Sequence, residues 1–162
     1  MSASAIDSGV GGPLLRRVVA AHPYAAKQVP GLRTVVVTGP RIDPAAVPVP
    51  TGVDVHGYVP GLHRLLAACD VAVVQGGLTT TMELTALRRP FLYVPLRHHF
   101  EQQRHVAHRL DRHRAGTRID YATATPESIA DALTAALARP VDYRPVPIDG
   151  AVRAAALIAD LV

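Results

Sequence analysis

The chain has 162 residues, 49% of them hydrophobic and 19% charged, with a formal net charge of +4. That composition describes a globular protein able to bury one substantial core, and it excludes extended disorder and any bilayer-crossing run of about 18–20 apolar residues. Cys69 is the single cysteine, which rules out an intramolecular disulfide, and no basic stretch followed by an apolar core opens the chain, so a reducing cytoplasm is the expected compartment. The arginines are spread out, dense only from Arg104 to Arg118, and aromatic residues make up 4%, too few for base-stacking platforms. No nucleic-acid partner is expected.

Taken in chain order, the predicted elements alternate. Ser2–Ile6 reads as the end of a first strand, with a turn over Asp7–Gly12. Pro13 then stands in a first helical turn, and Leu14, Leu15, Val18 and Val19 mark the apolar face of that helix. Thr34–Thr38 is a short apolar run of the kind found in fully buried strands, and Pro40 to Gly52 is a proline-rich loop. Val53–His56 is a third strand and Gly61–Cys69 a helix. Val71–Val74, Phe91–Leu96 and Thr117–Ile119 are further strands, separated by helices over Thr80–Arg88 and Glu101–Leu110. Ser128 to Ala138 is an Ala/Leu-rich helix opened by Thr125–Pro126–Glu127. Residues 140–162 form a proline-rich connector and a last helix. Apolar strands alternating with helices predict a doubly wound parallel α/β sheet over residues 1–162, without a second domain. Its ligand site is expected beyond the carboxyl ends of the strands.

Chemistry concentrates between His56 and Leu110. Gln75–Gly76–Gly77–Leu78–Thr79–Thr80–Thr81 joins a buried strand to a helix N-terminus. Glycines there allow close backbone approach, and the first-turn amides with the helix dipole suit an anion such as phosphate. The same residues also fit a capping box, Thr80-x-x-Glu83, in which the side chains serve the helix's own amides. A second strand-to-helix junction, Val94 to Gln103, carries His98, His99, Glu101, Gln102 and Gln103. Their acceptors and donors can bridge sugar hydroxyls, or else simply open a helix with polar residues. Gly57–Tyr58–Val59–Pro60–Gly61 is a turn whose backbone can meet the edge of a base. His105 and His108 join His98 and His99 on a turn and helix, yet no recognised zinc spacing occurs and no metal is expected. Cys69 reads as a core residue.

In order and spacing, "GYVP", "DVAVVQGGLTTTMEL", "RPFLYVPL" and "HFEQQ" resemble the C-terminal, donor-binding domain of two-domain glycosyltransferases of the GT-B fold. The lineage is that of bacterial antibiotic glycosyltransferases and the lipid II N-acetylglucosaminyltransferase, and the likeness covers almost the whole chain. It implies a Rossmann-like domain that holds a UDP- or dTDP-sugar as substrate, with no further cofactor. The backbone at Tyr58 and Val59 would meet the base. Gly76, Gly77, Thr79, Thr80 and Thr81 would face the diphosphate, and Glu83 the ribose hydroxyls. The 19-residue step from Glu83 to Gln102 resembles the family's step to its sugar-binding pair, Gln102 and Gln103, with Glu101 next in line and His98 or His99 lining the pocket. Ser8–Gly9–Val10–Gly11 matches the first glycine-rich loop, although Asp7–Ser8–Gly9 stands where a Gly-Gly-Ser turn is usual.

The resemblance further implies inverting hexosyl transfer without a metal-binding Asp-x-Asp motif, none of which occurs here. The acceptor-binding half, which would supply the base, is not in this chain. No catalytic residue is therefore assigned, and the isolated domain is expected to be inactive. The expected partners are the nucleotide-sugar and an acceptor-binding domain or subunit, through which the chain would reach a membrane surface; a two-subunit glycosyltransferase of the dolichol pathway is similarly divided. The alternatives are a fragment of a nucleotide-sugar epimerase of the same fold and a non-enzymatic nucleotide-binding or assembly subunit. A dinucleotide-dependent oxidoreductase is disfavoured because no Gly-x-Gly-x-x-Gly follows a strand.

Overall fold

The computed structural model describes residues 2–5 and 11–161. Six strands, β1 (Ser2–Ala5), β2 (Thr34–Val37), β3 (Val53–His56), β4 (Val71–Val74), β5 (Phe91–Tyr93) and β6 (Thr117–Arg118), form one sheet in the order β3-β2-β1-β4-β5-β6. Every pairing is parallel: Ser2 stands opposite Thr34 on one side and Val71 on the other, and Leu92 opposite Thr117. The chain winds outward from β1 in one direction and then, from β4, in the other. The strand order therefore reverses between β1 and β4, the switch point at which such sheets open a crevice.

Period-two alternation distributes the strand side chains between two cores. Val71, Val73, Leu92 and Val94 pack with α1 (Gly12–Gln28) and α5 (Pro126–Ala138), whose Leu14, Leu15, Val18, Ile129 and Leu133 are buried. Ala72, Val74, Phe91 and Tyr93 face the opposite way, against Leu66 of α2 (Leu62–Ala68), Leu84 of α3 (Leu78–Ala86) and Leu110 of α4 (Ala107–His113). Coverage on both faces is why β2 and β4 are buried at every position rather than at alternate ones. Cys69 lies in the second core with its thiol donating to the Leu66 carbonyl at 3.1 Å. Thr125 caps α5, its hydroxyl accepting from the Ser128 amide at 3.2 Å.

The connector after α5 is pinned to the domain. Arg88 donates to the Tyr143 and Val141 carbonyls at 2.8 and 3.1 Å, and the Tyr143 hydroxyl donates to the Arg89 carbonyl at 3.1 Å. The last helix, α6 (Gly150–Ala159), buries no residue among the described ones and leaves Val152, Leu157 and Ile158 exposed. No helix among the described residues is long and apolar enough to cross a membrane.

Of the boundaries that differ from the sequence reading, three have a clear local reason. Helix α3 begins at Leu78 rather than Thr80, because Gly77, with extended φ −65° and ψ 142°, is its N-cap. Thr80 thus lies inside the first turn, and the capping box Thr80-x-x-Glu83 does not form. Strand β5 stops at Tyr93 instead of Leu96: Pro95 has no N–H to donate, and the Leu96 amide turns to a side chain, Gln102 Oε1 at 2.9 Å. The helix predicted from Glu101 opens as a wide π-helical turn, Glu101–Val106, before tightening into α4. Such turns are rare, and they occur frequently at functional sites.

Candidate functional site

The loops that follow β3, β4, β5 and β6 all leave the same edge of the sheet, because every strand runs the same way. Ser8, Gly9 and Val10 lie outside the described residues. Gly11 is buried as the N-cap of α1, its carbonyl accepting from the Leu15 amide at 2.9 Å.

At the β4–α3 junction two adjacent glycines do different work. Gly76 has φ +95° and is buried, and a Cβ there would meet Pro95 Cα and the Tyr93 ring at 3.6 Å. Its backbone conformation is one that side-chain-bearing residues rarely adopt. Gly77 has ordinary extended angles, and a Cβ on it would meet nothing within 4 Å. Packing among the described residues does not require a glycine there, so among them its bare backbone leaves open ground in front of the helix. The first intrahelical bond runs from the Thr81 amide to the Gly77 carbonyl at 3.1 Å, and no side chain caps the helix. The amides of Leu78, Thr79 and Thr80 therefore point out of the first turn without helical partners.

The three threonines separate. Thr79 is exposed and Thr80 half-buried, on the open side. Thr81 is fully buried, and its hydroxyl donates back to the Gly77 and Leu78 carbonyls at 2.9 and 3.0 Å. Its hydroxyl is thus turned into the helix, away from the position expected for it. Glu83 follows Thr79 by four residues and Thr80 by three, on the same helical face. Half-buried, its carboxylate has no hydrogen-bond or ion-pair partner among the described residues.

The β5 junction is closed instead. Gln102, 8% exposed, accepts from the Leu96 amide through Oε1. The Gln103 amide nitrogen donates to the Leu96 carbonyl at 2.9 Å and more weakly to that of Pro95 at 3.4 Å, while its oxygen accepts from the Arg118 guanidinium. His98, His99 and Glu101 are exposed; the Gln102 amide makes a long contact to His99 Nδ1 at 3.4 Å. Phe100 stands 63% exposed, edge-on to His105 at 5.3 Å. Tyr58, 72% exposed, and half-buried Val59 lie beyond β3, three strand intervals from β4, or about 14 Å at ~4.8 Å each. Among the described residues no three His, Cys, Asp or Glu side chains converge as a metal site.

Arg118 joins these residues with no sequence signal to mark it. It ends β6, carries no motif, and becomes significant only when the fold sets it beside Gln103. Its charge is also felt below the surface: burial first and the Asp111 carboxylate second push the Tyr93 phenol above its usual range, and the Arg118 guanidinium opposes them.

A parallel sheet in the order 3-2-1-4-5-6, covered by helices on both faces, defines a doubly wound, Rossmann-like α/β domain. Residues 13–159 match the model of the glycosyltransferase family 28 C-terminal domain, and the chain belongs to that family. It is 37% identical over 93 residues to the UDP-N-acetylglucosamine–N-acetylmuramyl-(pentapeptide) pyrophosphoryl-undecaprenol N-acetylglucosamine transferase of Frankia casuarinae, covering 54% of this chain and 24% of that protein. Among solved structures it is similar to the calicheamicin glycosyltransferase CalG4, with TM-score 0.67, 23% identity, and coverage of 85% of this chain and 34% of that one. The spinosyn rhamnosyltransferase SpnG complexed with thymidine diphosphate gives TM-score 0.64 at 25% identity, covering 98% of this chain and 40% of the other. The fold is thus the C-terminal half of the GT-B type. The chain spans from about a quarter to two-fifths of the length of these relatives.

Proposed function

We propose that this domain holds the donor of an inverting glycosyltransferase, a UDP- or dTDP-hexose, in the crevice at the carboxyl edge of its sheet. One observation carries the reading: the β4–α3 junction offers three amides without helical partners behind a glycine, with a carboxylate on the same face that has no partner among the described residues. Diphosphate oxygens would accept from the Leu78, Thr79 and Thr80 amides and from the Thr79 and Thr80 hydroxyls. Glu83 would accept from the ribose hydroxyls. The base would lie toward Tyr58 and Val59, and the hexose toward Glu101, the Gln102 amide nitrogen, His98 and His99, with Gln103 framing the pocket. That the solved relative SpnG is described with thymidine diphosphate bound is consistent with this class of ligand.

Transfer with inversion needs the acceptor hydroxyl deprotonated, the anomeric carbon aligned and the departing nucleoside diphosphate stabilised. This domain would supply alignment and leaving-group stabilisation. Fixed amides and a helix dipole need no reorganisation as charge develops, and the loss of one such donor costs roughly 3 kcal/mol in related chemistry. They take the part that a cation would otherwise play. The base would come from an acceptor-binding half, and no residue here is assigned that role.

Calorimetric or thermal-shift titration with UDP and dTDP tests the proposal. A nucleotide at 100 times its dissociation constant adds about 2.7 kcal/mol, or roughly 5–10 °C in melting temperature for a domain of this size. Glu83→Ala is expected to alter the unliganded stability by less than about 0.5 kcal/mol while removing most of that increment. An unchanged increment in the variant overturns the ribose assignment.

A further inference from the structure

Beyond the β5 junction, at the same sheet edge, lies a cleft of about 220 Å³ whose walls include Arg97, Gln103, Arg118, Asp120 and Tyr121. We propose that this cleft receives a carboxylate carried by the donor's hexose, so that the domain selects a nucleoside diphosphate uronic acid over a neutral sugar. The inference rests on the donor-binding reading above, and two features of the cleft lead to it.

Position is the first. With the diphosphate at the end of β4 and the hexose at the end of β5, the next neighbour along the sheet is β6, one interval of about 4.8 Å further on. A pyranose ring spans about that distance. The group that reaches the end of β6 is therefore a substituent on the side of the hexose away from the nucleotide.

Charge is the second. Two guanidinium groups line the cleft, and neither forms an ion pair among the described residues. Arg118 uses one donor on Gln103 Oε1, which orients it and leaves other N–H groups for a ligand. The one acid in the wall, Asp120, is turned toward its own loop, its Oδ1 accepting from the Ala122 amide at 2.7 Å, and two guanidinium groups against one carboxylate leave the lining net positive. The opposite wall is held from behind: Arg17 of α1 donates to the Tyr121 carbonyl at 2.6 Å and lies 4.6 Å over its ring. A neutral hexose offers these two guanidinium groups no counter-charge. A carboxylate returns the charge and matches the planar fork of a guanidinium with paired hydrogen bonds.

Isothermal titration of the 162-residue chain with UDP, dTDP, UDP-glucose and UDP-glucuronate at low ionic strength tests the proposal. UDP-glucuronate is expected to bind at least about tenfold more tightly than UDP-glucose, a gain that shrinks with added salt. In Arg97→Gln the ratio of the two affinities should fall severalfold, and in the Arg97→Gln/Arg118→Gln double variant it should approach one. If UDP or dTDP binds but UDP-glucuronate shows no gain over UDP-glucose, or if the gain survives in the double variant, the carboxylate subsite is overturned and the donor reading stands. If neither nucleotide binds, the donor reading falls, and the subsite with it.

Discussion

The two strand-to-helix junctions at the β4 and β5 ends of the sheet are built in opposite ways. After β4, the backbone donors of the first helical turn have no helical partners, the N-cap offers no side chain, and among the described residues the ground in front of Gly77 is open. After β5, the side chains of Gln102 and Gln103 fold back and bond the loop that precedes them, bracing it from within. The contrast teaches that an exposed backbone can be a receptor because nothing internal competes for it. A side-chain amide in a tight loop is claimed first by the nearest unpaired carbonyl or N–H. Free donor capacity at the β5 side then passes to the arginines around the loop.

If that division is right, the junctions should respond differently to substitution. The largest effect is expected for Gln102→Ala, which strips the Leu96 amide of its acceptor inside a packed loop; chemical denaturation should show a loss of about 2 kcal/mol. The paired glycines give a finer comparison. Gly76→Ala forces a side chain onto φ +95° and should lower stability by about 1–2 kcal/mol. Gly77→Ala should change stability by less than about 1 kcal/mol yet weaken UDP binding about tenfold, because the added methyl stands where the diphosphate would lie. Equal stability losses at the two glycines would erase the distinction between them.

The smallest effect concerns the frame rather than the site. Burial raises the Tyr93 and Tyr143 phenols above their ordinary value near 10. The unfolded chain therefore releases these protons first as pH climbs, so stability is fully present below pH 10 and falls as pH rises through the folded values. Melting temperatures recorded between pH 8 and 11 should decline over the upper part of that range, and Tyr93→Phe should shallow the decline.

Much of the architecture could be read in advance because it depends on local rules. Continuous Val-rich runs in β2 and β4 require two covered faces, and the Pro and Thr signals at the heads of α1 and α5 mark their starts. Within the site, the glycine–threonine junction was legible as a strand-to-helix turn, but its register was not. Thr80 and Gly77 are both acceptable N-caps on composition, and only the backbone angles distinguish them. The division of labour among Thr79, Thr80 and Thr81 depends on which face meets Leu84 and the sheet. Arg118 had no sequence signal at all, since its importance comes from a neighbour fifteen positions earlier in the chain.

The claim on which the rest depends is that the first turn of α3 is the seat of a pyrophosphate. Amide chemical shifts of the isotopically labelled chain, followed while UDP is added, test it residue by residue. The largest saturable changes are expected at Gly77, Leu78, Thr79 and Thr80, with Gly76 next and little change at Thr117 or Tyr143. Saturation that leaves those four amides unmoved, or that moves instead the opposite edge of the sheet around Pro90 and Tyr143, would contradict it.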